Sequence, residues 1–109
     1  MSTRLEAARL LLYRAASLLD APSADLSGRP AAATAVCQAK VLGTEVALEI
    51  SNDIFQLSGA RAAADGPVNG LGLYWRNART FTLLDPVDYR RQRIGKYALG
   101  VEDPPVGWY

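Results

Sequence analysis

The stretch from Pro30 to Leu57 contains no proline after its first residue, and apolar side chains recur along it every three or four positions. This period places them on one face of a helix. Proline suits a first helical turn, and Ser58-Gly59 is a typical C-terminal stop. A helix-interior glycine costs about 1 kcal/mol against alanine, so we expect another backbone to approach Gly43 closely. The predicted buried stripe comprises Val36, Ala39, Leu42 (or Gly43), Val46, Ile50, Ile54 and Leu57.

An amphipathic pattern predicts an earlier helix from about Arg4 to Leu19. Thr3-x-x-Glu6 has the form of a capping box at its start, and the acidic residue argues against a mitochondrial transit peptide. Asp20-Ala21-Pro22 should end the helix, because proline cannot continue the hydrogen-bond ladder. The predicted buried face consists of Leu5, Ala8, Leu12, Ala15 (or Ala16) and Leu19.

Two shorter helices are predicted to meet at Leu84-Asp85-Pro86. The first spans about Leu71 to Leu84, and the second runs from after Asp85 to about Leu99, with Gly100 just past its end. Asp85 is predicted to cap the second of these helices, with proline at its first helical position. The short connections and the apolar stripes predict an all-α fold, an antiparallel helical bundle that is expected to be incomplete.

The remaining segments carry turn signals and polar residues. The connection from Gly59 to Gly70 includes Asp65-Gly66-Pro67 and Asn69-Gly70. We expect one domain over residues 1–100 and an irregular tail over residues 101–109. Trp108 and Tyr109 in that tail are predicted to dock on the body of the protein or on a partner.

Composition limits the kinds of site that this chain can hold. With 109 residues the chain supports one domain, and its net charge of +1 gives no reason to expect nucleic acid or a membrane as a partner. It contains no histidine, the commonest metal ligand, so no metal site is predicted. Cys37 is the single cysteine; it is predicted to be a packing residue, and cysteine usage favours a reducing cytoplasm. No apolar run approaches the roughly 20 residues that span a bilayer.

The segment AKVLGTEVALEISNDIFQLSGARAA and the later DGPVNGLGLYWRNARTFTLLDPVDYRRQRIGKYALG resemble the C-terminal helical domain of the acyl-CoA dehydrogenase superfamily. Within that superfamily they are most similar to the reduced-flavin-dependent, dibenzothiophene monooxygenase-like branch. The likeness extends from about Arg4 to Gly100. Its most specific part is RNARTFTLLDPV, from Arg76 to Val87.

The resemblance implies that this sequence is a fragment or one piece of a split protein. Family members carry an N-terminal helical domain and a central β-domain before this one, and the first helix of the bundle is also expected to be missing. In the family a flavin lies between the β-domain and the bundle, a neighbouring subunit completes the site, and the helices form homotetramers. The implied cofactor is FMN, with FAD as the alternative, bound only by the complete protein. A small-molecule substrate and a flavin reductase are the other implied partners.

The family's Gln-x-x-Gly segment, which lies by the cofactor of an adjacent subunit, matches Gln56 to Gly59. The cofactor-binding residues implied by this match are Gln56, Ser58 and Gly59, with Arg61 able to hold a phosphate. The alternative is that Gln56 and Gly59 only finish the helix.

Two arginines and two aromatics of the third helix are further candidates. Arg76 and Arg79 lie one helical turn apart and share a face. Arg76 is predicted to pair with Glu45, Glu49 or Asp53, whereas Arg79 is a candidate for flavin or substrate oxygens, with an ion pair as the alternative. Tyr74 and Trp75 are predicted to be packing or interface residues.

The sequence departs from the monooxygenase pattern Arg-Thr-His-Thr-x-His-Asp-Pro, because Phe81 and Leu84 occupy its two histidine positions. In the family those histidines lie beside the reactive edge of the flavin, where a donor can steady a peroxide oxygen. The dehydrogenase branch uses a carboxylate base near this place, which makes Asp85 a weak catalytic candidate, although the capping role already explains it.

The resemblance therefore implies the C-terminal helical domain of a flavin-dependent oxidoreductase, nearer to the monooxygenases. In this interpretation the domain walls the flavin pocket and forms the oligomer, and the isolated chain is inactive. Two alternatives stay open: an acyl-CoA dehydrogenase that uses FAD and an acyl thioester, and a non-catalytic helical interaction or accessory subunit.

Overall fold

The computed structural model describes residues 1–21, 27–64, 66 and 70–104. Within them lie four α-helices and one short 3-10 helix, and no strand. The helices are α1 (Ser2–Asp20), α2 (Arg29–Ser58), α3 (Gly72–Leu84) and α4 (Val87–Ala98), and the 3-10 helix is Ala60–Ala63. The all-α prediction is confirmed, with helix bounds within about two residues of those expected. The 3-10 helix was not predicted.

α2 lies at the centre of the molecule, and α1, α3 and α4 each pack mainly against it. Small residues of its N-terminal half let these neighbours approach closely: Ala33, Ala35 and Cys37 are almost fully buried. The molecule is elongated, with extents of 54 × 22 × 22 Å, because a 30-residue helix determines its length. No helix in the described part of the chain combines the length and the apolar content that a bilayer crossing needs.

The buried faces of α1 and α2 differ from those that the apolar pattern predicts. On α1 only Ala15 is buried, whereas Leu5, Leu12 and Leu19 are between 41% and 57% exposed. On α2 only Val46 of the predicted stripe is buried, and Leu57 is 74% exposed. The apolar stripes extend beyond the area that this chain's own helices cover.

Three local predictions about backbone geometry are wrong. Thr3 and Glu6 form no capping box, since α1 begins after Met1 without a side-chain cap and Glu6 pairs with Arg9 instead. No atom outside the helix's own backbone lies within 4 Å of a Cβ built on Gly43, so no other backbone approaches it. Asp85 does not cap α4, because Pro86 holds the N-cap position and no side chain bonds to the first turn.

The predicted helix ends at Gly59 and Gly100 are confirmed, and both glycines have positive φ. After α4 the backbone N–H groups of Gly100 and Val101 donate to the carbonyls of Tyr97 and Lys96, at 3.0 and 2.9 Å. This pair of bonds is a Schellman motif. Pro22, Asp65, Pro67, Asn69, Trp108 and Tyr109, on which other predictions rest, lie outside the described residues.

Candidate functional site

The residues that the resemblance assigns to the cofactor lie at the C-terminal end of α2. Gln56, Ser58, Gly59 and Arg61 are all exposed. Gly59 has φ +78° and ends the helix, with its N–H donating to the carbonyl of Phe55 at 3.0 Å. Within the described residues, the side chains of Gln56, Ser58 and Arg61 form no hydrogen bond or ion pair with the protein. This end of α2 therefore offers a group of donors without internal partners.

Arg79, the remaining cofactor candidate, lies elsewhere. It lines an open cleft of 560 Å³ between α1 and α3 together with Arg4, Leu48 and Trp75, and its Nη1 donates to Thr82 Oγ1 at 2.8 Å. Gln56, Ser58, Gly59 and Arg61 do not line this cleft, which extends along α2 as far as Asp53, about one helical turn before Gln56. The structure thus brings these four residues together and places Arg79 in a separate cleft.

The predicted ion pair of Arg76 is wrong for the described residues. Arg91 of α4 pairs with Glu45, and Arg4 of α1 pairs with Glu49 at 2.6 Å. Arg76 instead folds back along its own helix, where its Nη1 lies 3.6 Å from a Cβ placed on Gly72. The acidic residues of α2 therefore hold α1 and α4 rather than α3.

Asp85 is held by Arg90, a contact that joins the end of α3 to α4. Arg90 Nη2 lies 2.8 Å from Asp85 Oδ2, and Nε donates to the same carboxylate at 3.0 Å. Arg90 is 8% exposed, and its Nη1 also reaches Cys37 Sγ at 3.7 Å. Burial lowers the pKa of Arg90, but the hydrogen bonds to Asp85 and Cys37 outweigh it, so that the pKa is raised above its ordinary value. The Arg90 guanidinium, which stays charged, therefore lies against Asp85, the one weak catalytic candidate.

Cys37 is 1% exposed, which confirms that it packs in the core. The apolar pattern of the sequence does not identify Arg90 as its neighbour. Val87, Arg90 and Ile94 recur at the spacing of one helical face, and this spacing was the available signal that an arginine lies on the inner side of α4.

The two positions that carry histidine in the monooxygenase pattern are open to solvent. Phe81 is 61% exposed and Leu84 is 77% exposed. Lys40 of α2 holds the first of them: its Nζ lies 4.2 Å from the centroid of the Phe81 ring and donates to the Phe81 carbonyl at 3.0 Å. The ammonium thus satisfies a carbonyl in the last turn of α3. No cluster of three metal-ligating side chains occurs in the part of the chain that the structure describes.

Tyr74 and Trp75 are exposed to solvent, like the two residues at the histidine positions. Tyr74 is 65% exposed and Trp75 is 38% exposed. Neither ring is enclosed by this chain, so the packing role is wrong for Tyr74, and its role at an interface stays a prediction.

Comparison with known proteins identifies the family. The family model described as the C-terminal domain of acyl-CoA dehydrogenase matches residues 1–96. A probable FMNH2-dependent monooxygenase, SfnC of Pseudomonas putida, is 40% identical over 96% of this chain and 27% of its own length. Dibenzothiophene monooxygenases of Mycolicibacterium goodii and Rhodococcus erythropolis are 39% and 41% identical over 63% of the chain and 16% of their own length. No solved structure matches the chain.

The chain thus spans about a quarter of the length of the Pseudomonas protein and less of the other two. The matched family domain covers α1, α2, α3 and nearly all of α4. The chain belongs to the acyl-CoA dehydrogenase superfamily as a C-terminal helical domain, in the branch that contains the flavin-dependent monooxygenases.

Proposed function

We propose that this chain is the C-terminal helical domain of a flavin-dependent monooxygenase and that it walls one side of the flavin pocket. The observation that carries the proposal is the likeness over nearly the whole chain to a protein named as an FMNH2-dependent monooxygenase. FMN is accordingly the proposed cofactor, with FAD as the alternative. The proposed domain occupies residues 1–100, and the cytoplasm is its proposed location.

The outer face of α3 has the properties of a wall that another domain covers. Leu73, Tyr74, Phe81 and Leu84 are 55% to 77% exposed, and the ammonium of Lys40 lies over the ring of Phe81. A group of exposed apolar side chains is typical of an interaction or ligand surface. Here Phe81 and Leu84 would lie against the flavin and keep water from it, since neither donates a hydrogen bond.

The end of α2 fits a flavin phosphate. The backbone at Gly59 has no side chain to block a close approach, and Arg61 has no carboxylate partner within the described residues. A guanidinium without an internal partner can form a charge-assisted fork with a phosphate. In this proposal Gln56, Ser58 and Gly59 position the phosphate and Arg61 neutralises it. The flavin, when bound and reduced, supplies the electrons for oxygenation of a small-molecule substrate, and a flavin reductase is the proposed electron source.

The dehydrogenase alternative is less well supported. A carboxylate base must have an oxygen within hydrogen-bond reach of the proton that it removes. Asp85, the only candidate, accepts hydrogen bonds from Arg90 at both of its oxygens. The ion pair explains this aspartate without catalysis.

A chimera tests the proposal. The segment of Pseudomonas SfnC that matches this chain is replaced by the chain, and the dissociation constant for FMN is measured by quenching of flavin fluorescence. We expect the chimera to bind FMN, whereas SfnC without that segment and the bare chain do not. Arg61→Ala in the chimera should weaken binding about tenfold through loss of one charge-assisted contact.

Arg93→Ala is the matched control, because this arginine lies on α4 and has no assigned role at the flavin. A folded chimera that binds FMN no better than truncated SfnC contradicts the proposed role. Tight binding of FMN or FAD by the bare chain, seen as a thermal shift, contradicts the prediction that most of the site lies outside this chain.

A further inference from the structure

A small cleft lies between α4 and the residues that follow this helix. After Gly100 the chain turns back along α4, since Pro104 is buried and lines one cleft together with Asp85 and Tyr89. The volume of this cleft is 280 Å³. Pockets that bind drug-sized ligands enclose about 300–1,000 Å³. The cleft therefore suits a ligand of only a few heavy atoms.

Six charged side chains line this cleft, three of each sign: Asp85, Arg90, Arg93, Lys96, Glu102 and Asp103. Four of them form two ion pairs. Arg90 Nη2 lies 2.8 Å from Asp85 Oδ2. Lys96 Nζ lies 2.8 Å from Glu102 Oε2. The charges in the cleft balance overall, but these two pairs leave one cation and one anion over.

The two remaining charged residues are Arg93 and Asp103. Their side chains form no hydrogen bond or ion pair with any residue that the structure describes, and they do not pair with each other. Each of them can therefore bind a ligand group of the opposite charge, and such charge-assisted hydrogen bonds are about twice as strong as neutral ones. A ligand with a single charge leaves one of the two side chains unmatched.

We propose that this cleft binds a small zwitterion of the free α-amino acid class, with its carboxylate on Arg93 and its ammonium on Asp103. The planar guanidinium matches the geometry of a carboxylate, and the aspartate accepts hydrogen bonds from an ammonium. A free amino acid carries both groups on one carbon atom, so that one small molecule neutralises both side chains. Tyr89 and Pro104 supply apolar surface for the rest of the ligand.

This proposal goes beyond the proposed flavin function. The residues that we assign to the flavin phosphate, at the end of α2, do not line this cleft. The test below contains no flavin and measures binding to the full chain itself. The two proposals therefore fail separately.

An NMR titration of the full chain with L-alanine at constant ionic strength tests the proposal. Propionate and ethylamine are matched probes, because each lacks one of the two charged groups of L-alanine. We expect the amide signals of α4 and of Glu102 and Asp103 to shift and to saturate with a dissociation constant in the millimolar range. Propionate and ethylamine should bind at least about tenfold more weakly, because each leaves one charge of the cleft unmatched.

Two variants separate the contacts with the ligand. Asp103→Asn should weaken the binding of L-alanine about tenfold and remove its advantage over propionate. Arg93→Ala should weaken it to a similar extent and remove its advantage over ethylamine. A general loosening of the cleft would instead weaken the binding of all three probes alike. Circular dichroism checks that both variants remain helical.

Arg76→Ala is the matched control, because this arginine is exposed on α3 and does not line the cleft. It should leave the dissociation constant of L-alanine unchanged. Signals that do not saturate at hundreds of millimolar L-alanine overturn the proposal. So does equal affinity for the three probes, or binding of L-alanine that either Arg93→Ala or Asp103→Asn leaves unchanged.

Discussion

Arg90 determines the geometry of the joint between α3 and α4, because one guanidinium contacts both ends of that joint and the central helix. Its partners are Asp85, which follows α3, and Cys37 in the core of α2. A single charged side chain thus takes the place of an apolar residue on the inner face of α4. Its aliphatic stem contributes packing as well as charge.

Replacing Arg90 by alanine is expected to lower the free energy of unfolding by about 2 kcal/mol, because the ion pair and the packing of the stem are lost together. Asp85 is half-exposed and can regain water, which limits the loss. Urea unfolding measures the change. Arg93→Ala has no ion pair to remove within the described residues and should stay within about 0.5 kcal/mol of wild type. Equal losses in the two variants would contradict this account of the joint.

Glu102 gives a pH-dependent contact at the end of α4. Lys96 Nζ lies 2.8 Å from its carboxylate, and this hydrogen bond, with the attraction of the charge, lowers the pKa of Glu102 below its ordinary value. Because the folded-state pKa is lowered, the ionised carboxylate and its contact with Lys96 stabilise the folded chain at pH values above the ordinary glutamate range. The stabilisation is lost as the pH falls through that range and then through the lowered folded-state pKa.

An NMR titration of the Glu102 carboxyl carbon tests this contact. In Lys96→Met the pKa of Glu102 should rise to the ordinary glutamate value. An unchanged pKa in this variant would show that Lys96 does not hold the tail.

At the scale of the elements, the glycine inside α4 and the glycine just after its end have opposite roles. Gly95 lies inside the helix with open space around its Cβ position, whereas Gly100 has φ +69° in the Schellman motif. Gly95→Ala should therefore raise the free energy of unfolding by about 0.5–1 kcal/mol, since alanine favours a helix. Gly100→Ala should lower it by about 1 kcal/mol, because a side chain is strained at positive φ. Thermal unfolding of both variants compares them directly, and a change of the same sign in both would refute the assignment.

The position of each helix was predictable from the sequence, but the covered part of each helix was not. Proline, glycine and apolar spacing act locally, so they locate the ends of α2 and of α4 well. The period of apolar residues identifies a stripe but not the helix that covers it. Leu12 and Ile50 were therefore predicted to be buried, although the chain leaves both incompletely covered. Similarly, the contact of Arg90 with Cys37 depends on how α4 is placed along α2, which no local pattern contains. For the candidate site, the sequence located the residues at the end of α2 but did not show that Arg79 lies apart from them.

Across the whole molecule, the well-covered side chains are concentrated on α2. Val46 is 2% exposed and is one of its two largest fully buried side chains. Val46→Ala is therefore expected to cost about 2 kcal/mol of unfolding free energy. Leu84→Ala, at a position 77% exposed, should change it by less than about 0.5 kcal/mol in the bare chain. Urea unfolding of both variants provides the comparison, and a large loss for Leu84→Ala would mean that α3 is covered in solution.

The chain can open in parts because α2 carries most of the packing between helices. Because α1, α3 and α4 rest mainly on α2 and little on one another, α1 can detach without breaking the packing of the other two helices. Such partial opening exposes the amides of α1 to hydrogen exchange while those of central α2 stay protected.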